Sequence, residues 1–154
     1  ANVVQHYWRL VRTVARLNPA DTLPVVRRRL LECLAALDVR AAPETREAAA
    51  EVLRHLVLFP APWIRPYCPA ILEAAMASIR AGQAAIDSDV SSSIAIVATV
   101  AEIDAAAVET HLQAIFDLLC ELIGESHSER RQTAVMSALA CLIRQCDRTR
   151  LSPD

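Results

Sequence analysis

Few side chains in this chain could do chemistry, and their spacing argues against most kinds of it. The four histidines, His6, His55, His111 and His127, fall on different helices or caps. None forms the i, i+4 pair that holds zinc on one helix face, so each reads as a surface or boundary residue. The five cysteines, Cys33, Cys68, Cys120, Cys141 and Cys146, are odd in number and show no C-x-x-C spacing. Cys141 and Cys146 are five apart, which turns their side chains away from one another on a helix. The cysteines read as small buried hydrophobes in a reducing compartment. Gly82 and Gly124 are the two glycines and stand alone, so no phosphate-cradling loop can be built, and no kinase-type H-x-D or D-F-G is present. The sequence therefore nominates no catalytic residue, no metal ligand and no cofactor.

What remains is contact chemistry. Arg27-Arg28-Arg29 could meet a phosphate or an acidic partner, but successive helix residues turn by about 100°, so the three cannot face one way. A solvated face is the first reading, and protein contact the second. Arg130-Arg131 opens a helix, where the dipole disfavours cations, and pairing with Glu125, Glu129 or a neighbouring element is expected. Trp63 and Tyr67 are among the few aromatics, a residue type that serves interfaces well, although packing within the core is the stronger reading for both. Arg27, Arg28, Trp63, Tyr67 and Arg130 are thus the candidate protein-interface residues.

Composition narrows the class. Eighteen acidic against 16 basic residues leave a net charge of −2, which offers no bulk attraction to nucleic acid. All 16 basic residues are Arg, which reads as codon bias before selection for bidentate contacts. Hydrophobic residues make up 54% and aromatics only 4%, so Ala and Leu carry the packing and strand formers are scarce. No apolar run reaches the ~18 residues of a membrane span and no signal peptide opens the chain, so a cytoplasmic protein is expected. The chain starts on Ala1-Asn2 without an initiator Met, and is read as a piece of something longer.

The elements that must carry these residues are helices, and their plan repeats. In the stretch 60–82, Pro66 and Pro69 suit only a first turn, so a helix starts between them. Ile71, Leu72, Ala75, Met76 and Ile79 then share one face, and Gly82 is placed for a left-handed C-terminal cap. Leu72 recurs as Phe116, 44 positions on, and Gly82 as Gly124, 42 positions on. Backward, Pro24 precedes Pro66 by 42 positions and Leu30 precedes Leu72 by the same interval. Helical periods in the low forties are those of HEAT and armadillo arrays. The predicted fold is all-α, an α-solenoid of HEAT repeats: residues 1–18 as the second helix of an incomplete repeat, repeats at 19–58, 60–103 and 104–146, and a tail at 147–154.

Within that plan seven helices are expected, an orphan and three pairs. The first, from about Asn2 to Leu17, turns Val4, Tyr7, Trp8, Val11, Val14 and Ala15 inward. Asp21 caps a second with Pro24 in its first turn and Val26, Leu30 and Cys33 inward. A third, from Pro43 to about Leu58, buries Ala49, Val52 and Leu53 and keeps Arg46, Glu47, Glu51 and Arg54 wet. Residues 81–89 have the most loop-like composition. Asp89 can cap the next helix, despite Ser91-Ser92-Ser93 being poor interior residues. Asp104 caps a helix with the cleanest stripe, including Val108, Ile115, Leu119 and Leu122. Ser126-x-x-Glu129 is a capping box opening the last, with Val135, Leu139, Leu142, Ile143 and Cys146 inward. Apolar surface left at the two ends predicts weak self-association.

Four segments taken together, LNPADTLPVVRRRLLECL, WIRPYCPAILEAAM, IVATVAEI and HLQAIFDLLCELIGESHSERRQTAV, resemble consecutive HEAT repeats of target-of-rapamycin kinases. The region resembled precedes the FAT and kinase domains, and the likeness runs from about Val11 to Gln145. Its most specific parts are Ile64 to Tyr67, Ala98 to Ile103, and Arg130-Arg131-Gln132. Where that family often carries Gly late in each second helix, this chain has Arg54, Ala101 and Ala140, and a long side chain at 54 holds neighbouring backbones apart unless that face is solvated. The resemblance implies a noncatalytic scaffold segment of a Ser/Thr protein kinase of the phosphatidylinositol 3-kinase-related group. It also implies partners: other HEAT and FAT segments, raptor- or rictor-like subunits, and a second kinase protomer. An unrelated HEAT scaffold, such as a phosphatase scaffold or transport adaptor, is the alternative, and a small helical enzyme comes third.

Overall fold

The structure, a computed structural model, describes residues 2–38, 40–83, 90–125 and 129–151. Among them every regular element is helical. In chain order these are α1 (Asn2–Leu17), α2 (Pro19–Ala36), α3 (Pro43–Leu56), α4 (Ala61–Ile64), a 3₁₀ turn (Arg65–Tyr67), α5 (Cys68–Gln83), α6 (Ser91–Ile103), α7 (Ala105–Glu109), α8 (Leu112–Glu125) and α9 (Glu129–Leu151). The protein is all-α.

The helices pack as neighbours in pairs, α2 with α3, α5 with α6 and α8 with α9. Across the pairs α3, α6 and α9 lie side by side, with α6 in the middle, while α2, α5 and α8 touch more sparingly. Each pair's leading segment begins at a similar interval: Pro19, Ala61 and Ala105, spaced 42 and 44 residues apart. The core is a chain of interfaces along this row, in which Leu30, Leu53, Leu72, Ile96, Leu119 and Leu142 are all but sealed from water.

Proline placement governs how each leading segment bends. Pro66 and Pro69 cannot donate to the preceding turn, so the chain passes through a short α4 and a 3₁₀ turn before α5 begins at Cys68, between the two. Pro24 behaves otherwise. It sits inside α2 rather than in the first turn, because α2 already starts at Pro19 with Asn18 as its N-terminal boundary, not Asp21. Asp21 instead lies in the first turn, where its charge suits the helix dipole, and accepts a 2.9 Å hydrogen bond from Asn18. Pro24 is exposed, so water can satisfy the carbonyl that lacks its helical donor. Asp104 caps as expected, accepting from the Ala107 N–H at 3.2 Å, but the helix it opens breaks at Thr110-His111 into α7 and α8.

Other expectations are corrected. Gly82 is buried inside α5, and no described residue has a positive φ, so neither glycine forms a left-handed cap. α9 runs on to Leu151, through most of what reads as a tail, because 147–151 contains nothing that breaks a helix. Ser126, Asp89 and the stretch 84–89 lie outside the described residues, as do the side chains of Cys146 and Glu125. Among the described side chains of α1 only Ala15 is buried; Trp8 and Val11 are half-covered, while Val4, Tyr7 and Val14 stand open. On α8 and α9, Ile123 and Ile143 are likewise exposed.

The largest correction concerns α3. Arg46 is buried, and Glu47, Glu51 and Arg54 are half-buried rather than wet. A helix held between α2 on one side and α6 on the other has no free face of that width. Its polar side is therefore a seam.

Candidate functional site

That seam joins residues 41 positions apart. Ser92 Oγ on α6 donates to Glu51 Oε2 on α3 at 2.7 Å. Glu51 Oε1 also lies 3.3 Å from Arg54 Nη2 and 3.4 Å from His55 Nε2, the i+3 and i+4 positions of the same helix. The His55 contact is too poorly aligned to count as a hydrogen bond. Burial works to raise the Glu51 carboxyl, but the Ser92 bond, Arg54 and His55 outweigh it and hold it below its ordinary value. Two members of the serine run are thereby explained: Ser93 Oγ meets Ser78 Oγ of α5 at 3.2 Å, so Ser92 and Ser93 are buried with partners instead of spoiling α6. Across the next seam, Cys141 Sγ of α9 lies 3.3 Å from the Ala98 carbonyl of α6.

His55 is the hinge between this seam and α1. Its ring stacks on Trp8 with centroids 5.1 Å apart and planes 7° off parallel. Burial first, then Arg54, lower its pKa against the pull of Glu51, so the imidazole is neutral at pH 7. Trp8 continues an aromatic path to Phe59 at 6.5 Å, and Phe59 to Trp63 at 6.3 Å. Edge-to-face and offset contacts of this kind add about 0.5–1.5 kcal/mol each beyond the area they bury.

Beside His55 opens a groove. A cavity of about 320 Å³ is walled by Gln5, Arg9 and Arg12 of α1, Arg54 and His55 of α3, and Thr99 of α6. Arg54 also walls a second, more open cavity of about 480 Å³ with Glu129, Arg130 and Thr133 of α9. Arg12 Nη1 is buried with no hydrogen-bond partner, and burial together with Arg16 and Arg9 pushes its guanidinium below its ordinary value. A buried guanidinium nitrogen without an acceptor is costly, and an anion seated beside it would relieve that cost.

The residues nominated from sequence fall in three places. Arg130 is exposed and joins Arg54 in the second cavity. Arg27 and Arg28 are exposed on α2 and wall a different, largely apolar groove with Pro24, Leu31 and Ala35. Trp63 and Tyr67 are half-buried against the core. Arg9, Arg12, Glu51, Arg54 and Ser92 were not nominated as a site. Arg9, Arg12 and Arg16 at i, i+3 and i+7 put three cations on one helix face, a signal present in the sequence. The Glu51–Ser92 pair, 41 residues apart, left none.

Three of the thiols, Cys33, Cys68 and Cys141, are buried and held in the protonated form. Cys68 is buried, lies 3.6 Å from the Ile64 carbonyl and has its pKa pushed up to about 11, by burial and then by Asp104. Cys33 and Cys141 are raised too, chiefly by burial. Among the described residues, no three His, Cys, Asp or Glu side chains gather where a metal ion could be held, and no helix is long and apolar enough to cross a membrane.

The two cavities beside Arg54 are walled by side chains from α1, α3, α6 and α9. The chain is similar to a target of rapamycin homolog of Caenorhabditis elegans. The two are 26% identical over 137 residues, which is 88% of this chain and 5% of that protein. This chain thus spans a small fraction of its relative's length. No family model matches it, and no solved structure matches it.

Proposed function

We propose that this segment is a stretch of HEAT repeats from a target-of-rapamycin-type Ser/Thr protein kinase, acting as a noncatalytic scaffold in the cytoplasm. The observation that carries the reading is the conjunction of two facts. The paired helices recur at 42- and 44-residue intervals, and the likeness to a target of rapamycin homolog covers nearly all of them. In such an array each pair contacts only its neighbours, so the row is a stiff frame whose side chains outside the seams are free to engage partners. The partners that suit this role are other HEAT and FAT segments of the parent, raptor- or rictor-like subunits and a second kinase protomer. The parent would supply the phosphotransfer; this segment carries none of it.

The test is the parent reading frame. Sequencing the transcript beyond the codon for Asp154 is expected to reveal further helical repeats followed by FAT and kinase motifs. Repeats followed by a stop with no kinase would overturn the kinase assignment in favour of an unrelated HEAT scaffold or adaptor.

A further inference from the structure

The α1–α3 groove holds more positive charge than anything around it balances. Arg9 and Arg12 project from α1 and Arg54 from α3 into one cavity of about 320 Å³. Among the described residues no carboxylate lies within ion-pairing distance of Arg9 or Arg12, and Arg12 Nη1 is buried without an acceptor. The carboxylate at hand, Glu51, is already shared among Ser92, Arg54 and His55. His55 adds no repulsion while neutral. The whole chain carries a net charge of −2, so the excess is local to this groove.

Three guanidinium groups in one cavity fit a group with several acceptor oxygens. A phosphate has three, can bridge two forks at once and carries about −1.5 to −2 charge. A carboxylate brings two oxygens and a single negative charge against three cations. The shape selects the source. Arg54 walls both cavities, so the two lie next to one another, the first bounded by Arg9 and Arg12 on α1 and the second by Arg130 and Thr133 on α9. Both open to solvent, and two neighbouring open cavities suit an extended chain better than a free ion. Glu129 at the far end repels an anion and so places it at the α1 end.

We propose that this groove binds an extended segment of a partner protein, with a phosphorylated side chain seated among Arg9, Arg12 and Arg54. The inference rests on the reading of the chain as a protein-binding array and names the chemistry of one partner. The two fail separately: a parent without kinase motifs removes the kinase assignment and leaves the groove untouched, whereas a failed phosphopeptide measurement removes only this inference.

The experiment uses the 154-residue chain and a fluorescent peptide pool, degenerate around a fixed phosphoserine, read by anisotropy. Matched pools carry serine or glutamate at that position. The phosphoserine pool should bind more tightly than either, and weaken with added salt. Arg9→Gln and Arg12→Gln should each weaken it about tenfold, the loss expected for one hydrogen bond to a charged group. Arg80→Gln, on α5, should change nothing. Arg9 is exposed, so its replacement reads binding even if Arg12→Gln disturbs packing. Equal binding of the serine pool, or no effect of either groove substitution, would overturn the proposal. So would glutamate binding as tightly as phosphoserine, which indicates a merely acidic segment. Displacement by inorganic phosphate at the peptide's own affinity would also overturn it, making the site one for a free anion.

Discussion

Replacing Ile96 by Ala tests whether the chain is one row of coupled interfaces. Ile96 is 0% exposed in α6, the helix packed against α3, α5 and α9 at once. The substitution removes three carbons; at about 0.8 kcal/mol per buried carbon, lost transfer free energy alone is about 2.4 kcal/mol. The unfilled cavity brings the loss to about 3–5 kcal/mol. For a chain of this size each kcal/mol lowers Tm by about 2–4 °C, so the midpoint should fall by about 6–20 °C. In a row held together through nearest neighbours, loosening the middle helix weakens both adjoining interfaces. Amide hydrogen exchange followed by mass spectrometry should therefore show faster exchange in α3 and α9 as well as in α6. Leu31→Ala, at a side chain 50% exposed on α2, serves as the surface control and should stay within about 0.5–1 kcal/mol of the parent. Faster exchange confined to α6, or a loss no larger than the control's, would refute the coupling.

Stability should fall on acidification, since His55 and Glu51 are both held below their ordinary values and the unfolded chain binds their protons more readily. For His55 the loss sets in as pH drops below about 6.5, and Glu51 adds its own in the carboxylate range; a urea midpoint whose slope above pH 5 is unchanged in His55→Gln would contradict this. Leu119→Asp, at a side chain 1% exposed on α8, should unfold the chain at a lower temperature than Leu139→Asp, which is only half-buried, and the reverse order in thermal melts would mean the seams are misplaced. The chain should associate weakly with rising concentration through α1, where Val3, Leu10 and Leu17 are 80, 64 and 81% exposed. Burying ~200 Å² of such surface favours contact by roughly 5 kcal/mol before association costs of similar size. A single mass at all concentrations by light scattering, unaltered by Leu10→Glu with Leu17→Glu, would count against it.

Helix identity was legible in the sequence because each stripe is written in adjacent turns. Ile71, Leu72, Ala75, Met76 and Ile79 are all buried, and the start of α5 between Pro66 and Pro69 follows from proline's missing donor. Local rules misled where a neighbour changes what a position wants. Gly82 reads as a cap, yet it stays helical and buried. Pro24 reads as a first-turn residue, but Pro19 had already opened the helix. Ser92 and Ser93 of α6 look unfavourable until Glu51 and Ser78 are brought to them.

The candidate site divides in the same way. Sequence by itself determined that the chain is helical, that its helices recur at low-forties intervals, and that Arg9, Arg12 and Arg16 share a face, since all of these depend on residues within a few turns of one another or on a simple period. Only the tertiary structure decided that the polar side of α3 faces α6 rather than water, that Arg54 stands between two cavities, and that Arg12 Nη1 is left without an acceptor. Those facts depend on which helix lies beside which. Burial and charge balance are properties of that arrangement, set by residues some forty positions away, and no local pattern encodes them.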